Sequence, residues 1–161
     1  MTDALRLVEI TPDNVLEACA LRVRPEQEGF VAPVARSLAP AYATPDTAGP
    51  RLVYDGDRPV AFVMGFFGVR FDSDDPGDRP RSGLWRLAVS AGHQGRGYGR
   101  FAVEAVCEQV RRRGGSRVTV SWRPGEHGPE GFYLGLGFRP TGETSGDQVV
   151  AELDLGPAPA A

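Results

Sequence analysis

Residues 84–100 read LWRLAVSAGHQGRGYGR: an apolar segment runs directly into a glycine-rich loop, which leads into a helical pattern. The loop has glycine at positions 95, 97 and 99, so no Cβ obstructs the close approach of a ligand there. Backbone amides at the start of the following helix can therefore converge on an anion. The segment predicts a strand, a phosphate-binding loop and a helix, in that order.

The spacing of the glycines excludes two common nucleotide-binding loops. A dinucleotide-binding fingerprint requires a third glycine at the position that Arg100 occupies. A P-loop requires a lysine followed by Ser or Thr, and the chain contains no lysine. The pattern that remains is Gln94, two residues, Gly97, one residue and Gly99, directly after a strand. This pattern resembles the acyl-CoA pyrophosphate loop of the GNAT superfamily of N-acetyltransferases.

Length, cysteine count and charge narrow the class of protein. The 161 residues are enough for one domain, and we expect residues 1–155 to form it, with residues 156–161 as a disordered tail. Cys19 and Cys107 are too few for a disulfide framework, and the N-terminus lacks a signal pattern, which favours the cytoplasm. No apolar run is long enough for a membrane span, so we expect no membrane association. The net charge of −3 argues against nucleic-acid binding.

Hydrophobic periodicity and turn residues predict a strand, two helices, three strands, a helix, a strand, a helix and two strands. Thr11, followed by Pro12, predicts the N-cap of the first helix, and Pro33 and Pro40 predict short, kinked pieces in the second. This order predicts an α/β sandwich with a mixed sheet, as in the GNAT superfamily. The predicted strands are residues 5–10, 51–54, 59–69, 84–89, 117–122, 138–140 and 149–155, and the predicted helices are residues 11–21, 26–42, 97–113 and 129–136.

The GNAT resemblance implies a mixed, mostly antiparallel sheet of about seven strands with about four helices, splayed between strands 4 and 5. It also implies acetyl-CoA as the co-substrate and no metal ion. In such folds the backbone of strand 4 binds the pantetheine arm, and an amide of that strand polarises the thioester carbonyl. The cofactor-binding residues predicted in this way are Leu87, Ala88, Val89, Gln94, Gly95, Arg96, Gly97, Tyr98, Gly99 and Arg100.

A second resemblance concerns the segment GFYLGLGF, residues 131–138. Its tyrosine, Tyr133, resembles the GNAT tyrosine that protonates the departing CoA thiolate, which predicts a general acid here. The alternative is a packing residue, because apolar Phe132 and Leu134 flank it. The general base stays open, since residues 84–90 contain no carboxylate. The candidates are a water molecule, an amine that binds in its neutral form, or one of the carboxylates of Glu28, Asp72 and Glu126.

The acceptor is indicated by PEQEGFVAP, residues 25–33, SLAPAY, residues 37–42, and SWRP, residues 121–124. These segments are similar to bacterial spermidine/spermine or diamine N-acetyltransferases, although Val34 and Glu126 replace asparagines often found there. The resemblance implies a small-molecule primary amine, with a polyamine as one candidate among several amines. The residues predicted to bind it by charge or by aromatic contact are Glu26, Glu28, Phe30, Tyr42 and Trp85.

Two other functions stay open from the sequence. The acceptor could be a protein N-terminus or a lysine side chain, or the chain could be a catalytically silent acyl-CoA-binding module. The first half of the chain has an excess of carboxylates and the second half an excess of arginines, which would suit a cationic substrate and an anionic cofactor respectively. Because GNAT proteins often dimerise, the resemblance also implies a homodimer.

Overall fold

The structure, a computed structural model, describes residues 4–157. Its strands are β1 (Leu5–Glu9), β2 (Ala48–Asp55), β3 (Arg58–Val69), β4 (Arg81–Val89), β5 (Arg117–Trp122), β6 (Arg139–Ser145) and β7 (Gln148–Asp154). They form a seven-stranded sheet in the order β1-β2-β3-β4-β5-β7-β6. Only β4 and β5 pair in parallel within this sheet. The predicted mixed, mostly antiparallel sheet is confirmed.

Four α-helices lie within the described residues: α1 (Val15–Ala20), α2 (Val34–Ala43), α3 (Tyr98–Arg112) and α4 (Glu130–Gly135). Short 3-10 turns at Pro25–Gln27 and Ala91–His93 precede α2 and α3. No helix of residues 4–157 has the length and apolar character needed to cross a membrane. The tail predicted at residues 156–161 lies mostly outside the described residues.

The central strands of the sheet are buried on both faces, with α1 and α2 on one side and α3 and α4 on the other. Alternating residues of β3 show this arrangement: Ala61 and Val63 belong to the cluster with α3, whereas Phe62 and Met64 belong to the cluster with α1 and α2. α3 contributes the largest apolar stripe. Its buried residues are Tyr98, Ala102, Val103, Val106, Cys107 and Val110.

β4 and β5 touch at one point and then separate. Their pairing is limited to Gly83 and Thr119. A Cβ on Gly83 would lie 1.8 Å from the carbonyl oxygen of Thr119, so only glycine allows this contact. The strands part beyond it, which confirms the splay predicted between strands 4 and 5.

Three sequence predictions of the elements are wrong. The first helix begins at Val15 and not after Thr11, because the Asn14 side chain accepts from the Thr11 N–H at 2.8 Å and donates to the Glu9 carbonyl at 2.8 Å, which holds this segment as a turn. Pro40 lies inside α2 near its end and does not interrupt it. β6 continues to Ser145 as a fully exposed edge strand, whose polar residues carry no apolar signal.

Candidate active site

A pocket of about 1070 Å³ occupies the gap between the separated strands. Its walls are the second half of β4, the glycine loop, the first turn of α3, the end of β5, α4 and the segment before α2. This volume exceeds that of a typical drug-sized site, which leaves room for an extended ligand and a second molecule. The pocket joins the two regions that the sequence singled out, the glycine loop and the GFY segment.

The glycine loop adopts a backbone that depends on glycine. Gly95 and Gly97 have φ angles of +78° and +87°, and Gly97 is the N-cap of α3. Other residues rarely adopt these angles. The free amides of the first turn of α3 therefore face the pocket beside Arg100, which also lines it. Such a helix N-terminus with an arginine suits a phosphate group.

Gln94 has a positioning role in this loop. Its side-chain amide donates to the Val89 carbonyl at 3.0 Å, which fixes the loop to the end of β4. It also exchanges two hydrogen bonds with the side chain of Gln27, at 2.6 Å and 3.0 Å. Gln94 thereby connects the loop to the 3-10 turn that ends at Gln27, which also lines the pocket.

Most of the predicted cofactor residues line the pocket, and two do not. Ala88 is absent from the lining, because its side chain is buried in the cluster with α1 and α2. Arg96 is exposed on the outside of the loop. The Tyr98 side chain packs into the core with its hydroxyl hydrogen-bonded to Asp55, although Tyr98 still borders the pocket. The predicted residues that line it are Leu87, Val89, Gln94, Gly95, Gly97, Tyr98, Gly99 and Arg100.

Tyr133 lies in the pocket wall with 6% of its surface exposed. Its ring stacks on Trp122, with centroids 5.6 Å apart and planes at 15°, and meets Phe138 edge to face at 5.6 Å. Burial raises the pKa of Tyr133 well above its ordinary value, so the phenol is neutral. The hydroxyl has no hydrogen-bond partner within the described chain, which leaves its proton available to a ligand.

Sequence reasoning missed Trp122, whose ring covers one face of Tyr133. Only 2% of Trp122 is exposed, and its indole Nε1 is buried with no partner among residues 4–157. A buried donor of this kind is costly unless something accepts its hydrogen bond. Trp122 borders the pocket, although its Nε1 is itself shielded from the cavity. A tryptophan in an alternating strand carries no signal beyond that of a core residue.

The predicted acceptor and base residues divide between the pocket and the surface. Glu28, Phe30 and Trp85 line the pocket. Tyr42 is 90% exposed, because α2 buries Val34, Ser37 and Ala41 and turns Tyr42 to solvent. The structure also keeps three predicted carboxylates away from the pocket: Glu26, Asp72 and Glu126.

Each of these three carboxylates has a physical reason for its location. Glu26 is exposed on the 3-10 turn that precedes α2. The Asp72 side chain accepts from the Asp74 N–H at 3.0 Å in the loop between β3 and β4. The side chain of Glu126 is 92% exposed, whereas the next residue, His127, lines the pocket with a φ of +64°. His127 is a further residue that sequence reasoning missed.

β4 carries a β-bulge at the pocket. Met64 pairs with Arg86 and Gly65 with Leu84, so Trp85 is the extra residue. Arg86 lies two residues before Ala88 and therefore faces the same side of the sheet, and the bulge turns Trp85 toward that side as well. Both Trp85 and Arg86 line the pocket on the side of α2.

Comparison with known proteins agrees with this architecture. The sequence pattern of the acetyltransferase (GNAT) family matches residues 25–138, and the chain belongs to this family. It is similar to N-acetyltransferase 8F1 of Rattus norvegicus, with 32% identity over 81 residues, which cover 50% of this chain and 37% of that protein. The chain therefore spans only about a third of the length of the curated relatives it matches.

Solved structures share the fold at low sequence identity. An acetyltransferase from Thermus thermophilus is similar with a TM-score of 0.66 and 19% identity, over 94% of this chain and 97% of that one. A GNAT family acetyltransferase from Elizabethkingia anophelis with acetyl-CoA bound is similar with a TM-score of 0.63 and 14% identity, over 95% and 99% of the two chains. The GNAT fold predicted from the sequence is confirmed, and the likeness to polyamine acetyltransferases stays a prediction.

Proposed function

We propose that the protein is an acetyl-CoA-dependent N-acetyltransferase that acts on the primary amine of a small molecule. The observation that carries this proposal is the pocket between β4 and β5, which brings the glycine loop and the neutral phenol of Tyr133 to the same cavity. Membership of the GNAT family supports the same activity. In this proposal residues 1–155 form one acetyltransferase domain.

The residues of the pocket fit acetyl-CoA, which supplies an acetyl group activated as a thioester. The backbone of Leu87 and Val89 would hold the extended pantetheine arm, as an added strand does at a sheet edge. The amides after Gly97 and the side chain of Arg100 would hold the pyrophosphate. Gly95 and Gly97 support this fit, because they line the pocket at positive φ and carry no Cβ that would obstruct a pyrophosphate.

Proton transfer follows from the environment of Tyr133. The nitrogen of the neutral acceptor amine forms a bond to the acetyl carbon, the carbon–sulfur bond breaks, and the Tyr133 hydroxyl gives its proton to the departing sulfur. Burial raises the pKa of the phenol. The same exclusion of water raises the pKa of the thiol, which reduces the difference in pKa between the proton donor and the departing sulfur. The phenol regains a proton from solvent after the product leaves.

The proton that the amine loses needs an acceptor. Glu28 and His127 line the pocket and have side chains that can take it, either directly or through water. Among the carboxylates predicted from the sequence, Glu28 is the one that borders the cavity, so we propose Glu28 or His127 as the base. The location in the cytoplasm and the homodimer both stay predictions of the sequence.

The proposal is tested by release of free CoA thiol from acetyl-CoA with a panel of amino acids, polyamines, aminoglycosides and peptides. We expect turnover with at least one small amine, and mass spectrometry should find one added acetyl group on its nitrogen. Peptide N-termini or lysines as the only acceptors would replace the small molecule with a protein. If calorimetry detects binding of CoA but no amine is turned over, the chain would be a silent acyl-CoA-binding module, which would contradict the proposal.

A further inference from the structure

The charge of the pocket does not match a polyamine. Its lining contains one carboxylate within the described residues, that of Glu28. Four arginines line the same cavity: Arg36, Arg86, Arg100 and Arg123. A polyammonium would therefore enter a site with a net positive charge, which is unfavourable.

Two of these arginines already have a role. Arg123 pairs with Asp147 at 3.0 Å and donates to the Gly29 carbonyl at 3.1 Å. Arg100 belongs to the first turn of α3 beside the glycine loop, where the proposed function gives it the pyrophosphate. Arg36 and Arg86 remain, and neither forms an ion pair with a carboxylate of residues 4–157.

Arg86 is the more constrained of the two. Its Nη1 donates to the Trp85 carbonyl at 3.1 Å, and its Nε is buried with no partner in the described chain. Its guanidinium lies 5.5 Å from the centre of the Trp85 ring. The Trp85 ring is predicted from the sequence to contact a cationic substrate. It is already in contact with a cation of the chain itself, Arg86.

Arg36 lies on α2 and lines the same pocket as Arg86. Burial together with the positive charge of Arg36 lowers the pKa of Arg86. Both stay charged, because a guanidinium is protonated at any physiological pH. Two cations that line one pocket without a paired carboxylate favour the binding of an anion there.

We propose that Arg36 and Arg86 bind a carboxylate of the acceptor, so that the substrate is an amine with a carboxylate close to the reacting nitrogen. This inference rests on the proposed function, because it concerns the acceptor of the acetyl group. Arg36 and Arg86 lie on the α2 side of β4, whereas Leu87 and Val89 face the α3 side. The carboxylate is therefore bound on the side of the sheet opposite to the α3 core.

The same pair of cations would also prepare the amine for reaction. A positive charge near an ammonium lowers the pKa of that ammonium, which increases the fraction of neutral amine. A carboxylate bound to both arginines would offset part of their charge and so reduce this effect, but it would hold the amine in a fixed position. The subsite therefore selects the acceptor mainly by binding, so its effect should be found in KM.

The test compares amines that differ only in the anionic group. Release of free thiol is measured with glycine, L-methionine and L-phenylalanine against their carboxamides, and with spermidine as the polycation. We expect each acid to exceed its amide in kcat/KM by roughly 10-fold or more, the size of effect of a charge-assisted hydrogen bond. The amide has the less basic amine, so this preference would have to come from binding. Equal use of acid and amide, or a preference for spermidine, would overturn the proposal.

Variants connect the preference to the two arginines. Arg86→Met and Arg36→Met should each raise KM for the acids roughly 10-fold while the amides keep their kcat/KM. Arg36 is exposed, so its variant tests the subsite even if Arg86→Met lowers stability. Arg70→Met, an exposed arginine outside the pocket, is the matched control and should behave as the unmodified protein. An equal loss for acids and amides would assign Arg86 a structural role and contradict the proposal.

A binding measurement separates this inference from the proposed activity. With CoA bound, N-acetyl-L-methionine should raise the Tm more than its amide in the unmodified protein and not in Arg86→Met. That result without turnover of any amine would support the subsite and contradict the acetyltransferase. Turnover of amines without a preference for acids would support the acetyltransferase and contradict the subsite. Neither turnover nor a difference in Tm would contradict both.

Discussion

At the scale of single residues, Tyr133 combines a buried ring with a hydroxyl that has no partner among residues 4–157. Trp122 stacks on one face of the ring and Phe138 meets its edge, so the side chain has little freedom to rotate. A fixed neutral phenol is a suitable proton donor to a group that acquires negative charge in the pocket. The same contacts mean that removal of the hydroxyl alone leaves the packing in place.

Tyr133→Phe should lower kcat by roughly 100-fold, because the departing sulfur would lose its proton donor. The KM for acetyl-CoA should change little, since the ring and its stacking on Trp122 remain. Steady-state kinetics with the best amine of the panel measure both constants. Tyr42→Phe, which alters a tyrosine on the solvent face of α2, should retain full activity. An unchanged kcat in Tyr133→Phe would make Tyr133 a packing residue only.

The buried phenol also makes stability depend on pH in the alkaline range. Its pKa in the folded state is above the ordinary value of 10.0, whereas the unfolded chain ionises near that value. Above pH 10 the unfolded state therefore releases a proton that the folded state keeps, and stability falls. The Tm of the unmodified protein should drop more between pH 9 and about 11 than that of Tyr133→Phe. An identical drop in both would contradict a raised pKa in the fold.

The sequence locates some residues of the site and not others, for reasons that concern side-chain direction. Tyr133 and the glycine loop are recognisable because their function depends on residue type and spacing along the chain. Arg36, Arg86 and Trp122 are not, because an arginine on a helix or a tryptophan in a strand has no functional meaning until its direction is known. The bulge at Trp85 determines that direction for β4, and no local pattern predicts the bulge.

At the scale of elements, the contact between β4 and β5 determines the geometry of the site. The strands are held together at Gly83 and Thr119 and open beyond this pair. The opening exposes the backbone edge of β4 from Leu84 to Val89 while both strands remain parts of one sheet. The pocket forms because β4 and β5 are in close contact at Gly83 and Thr119 and are separated beyond this pair.

Gly83→Ala should therefore destabilise the fold strongly. The new Cβ would meet the Thr119 backbone at 1.8 Å, and a backbone cannot move aside as a flexible side chain can. We expect a loss of about 3 kcal/mol or more in the free energy of unfolding, measured by urea denaturation. Gly92→Ala is the control, since a Cβ there has open space and the residue does not line the pocket. Equal stability of the two variants would contradict the role given to Gly83.

The sequence predicts the elements well wherever apolar residues follow a clear period. α3 and the buried strands β3 and β5 lie within a residue or two of their predicted bounds, since their burial imposes the pattern. The predicted β6 has only three residues, because its remaining length is polar and exposed on the sheet edge. The predicted start of α1 is wrong because Thr11 and Pro12 resemble a helix cap, while local hydrogen bonds of the Asn14 side chain keep them in a turn.

At the scale of the whole molecule, net charge says little about the pocket. The chain carries −3 overall and the first half has most of the excess carboxylates, yet the cavity is lined mainly by arginines among its charged residues. Carboxylates such as Asp72 and Glu126 lie on loops outside the cavity. The charge balance of the first half does not predict the charge of the pocket, because composition averages over a surface, whereas a ligand responds to the few charges that face it.

The paired amides of Gln27 and Gln94 join two segments that line the pocket, the 3-10 turn before α2 and the glycine loop. Gln94 also fixes the loop beneath the proposed pyrophosphate, and Gln27 belongs to the turn that leads to Glu28 on the acceptor side. If CoA and the acceptor bind as proposed, a shift of Gln94 caused by one ligand would also move Gln27 beside the other, and any resulting change in affinity would be reciprocal.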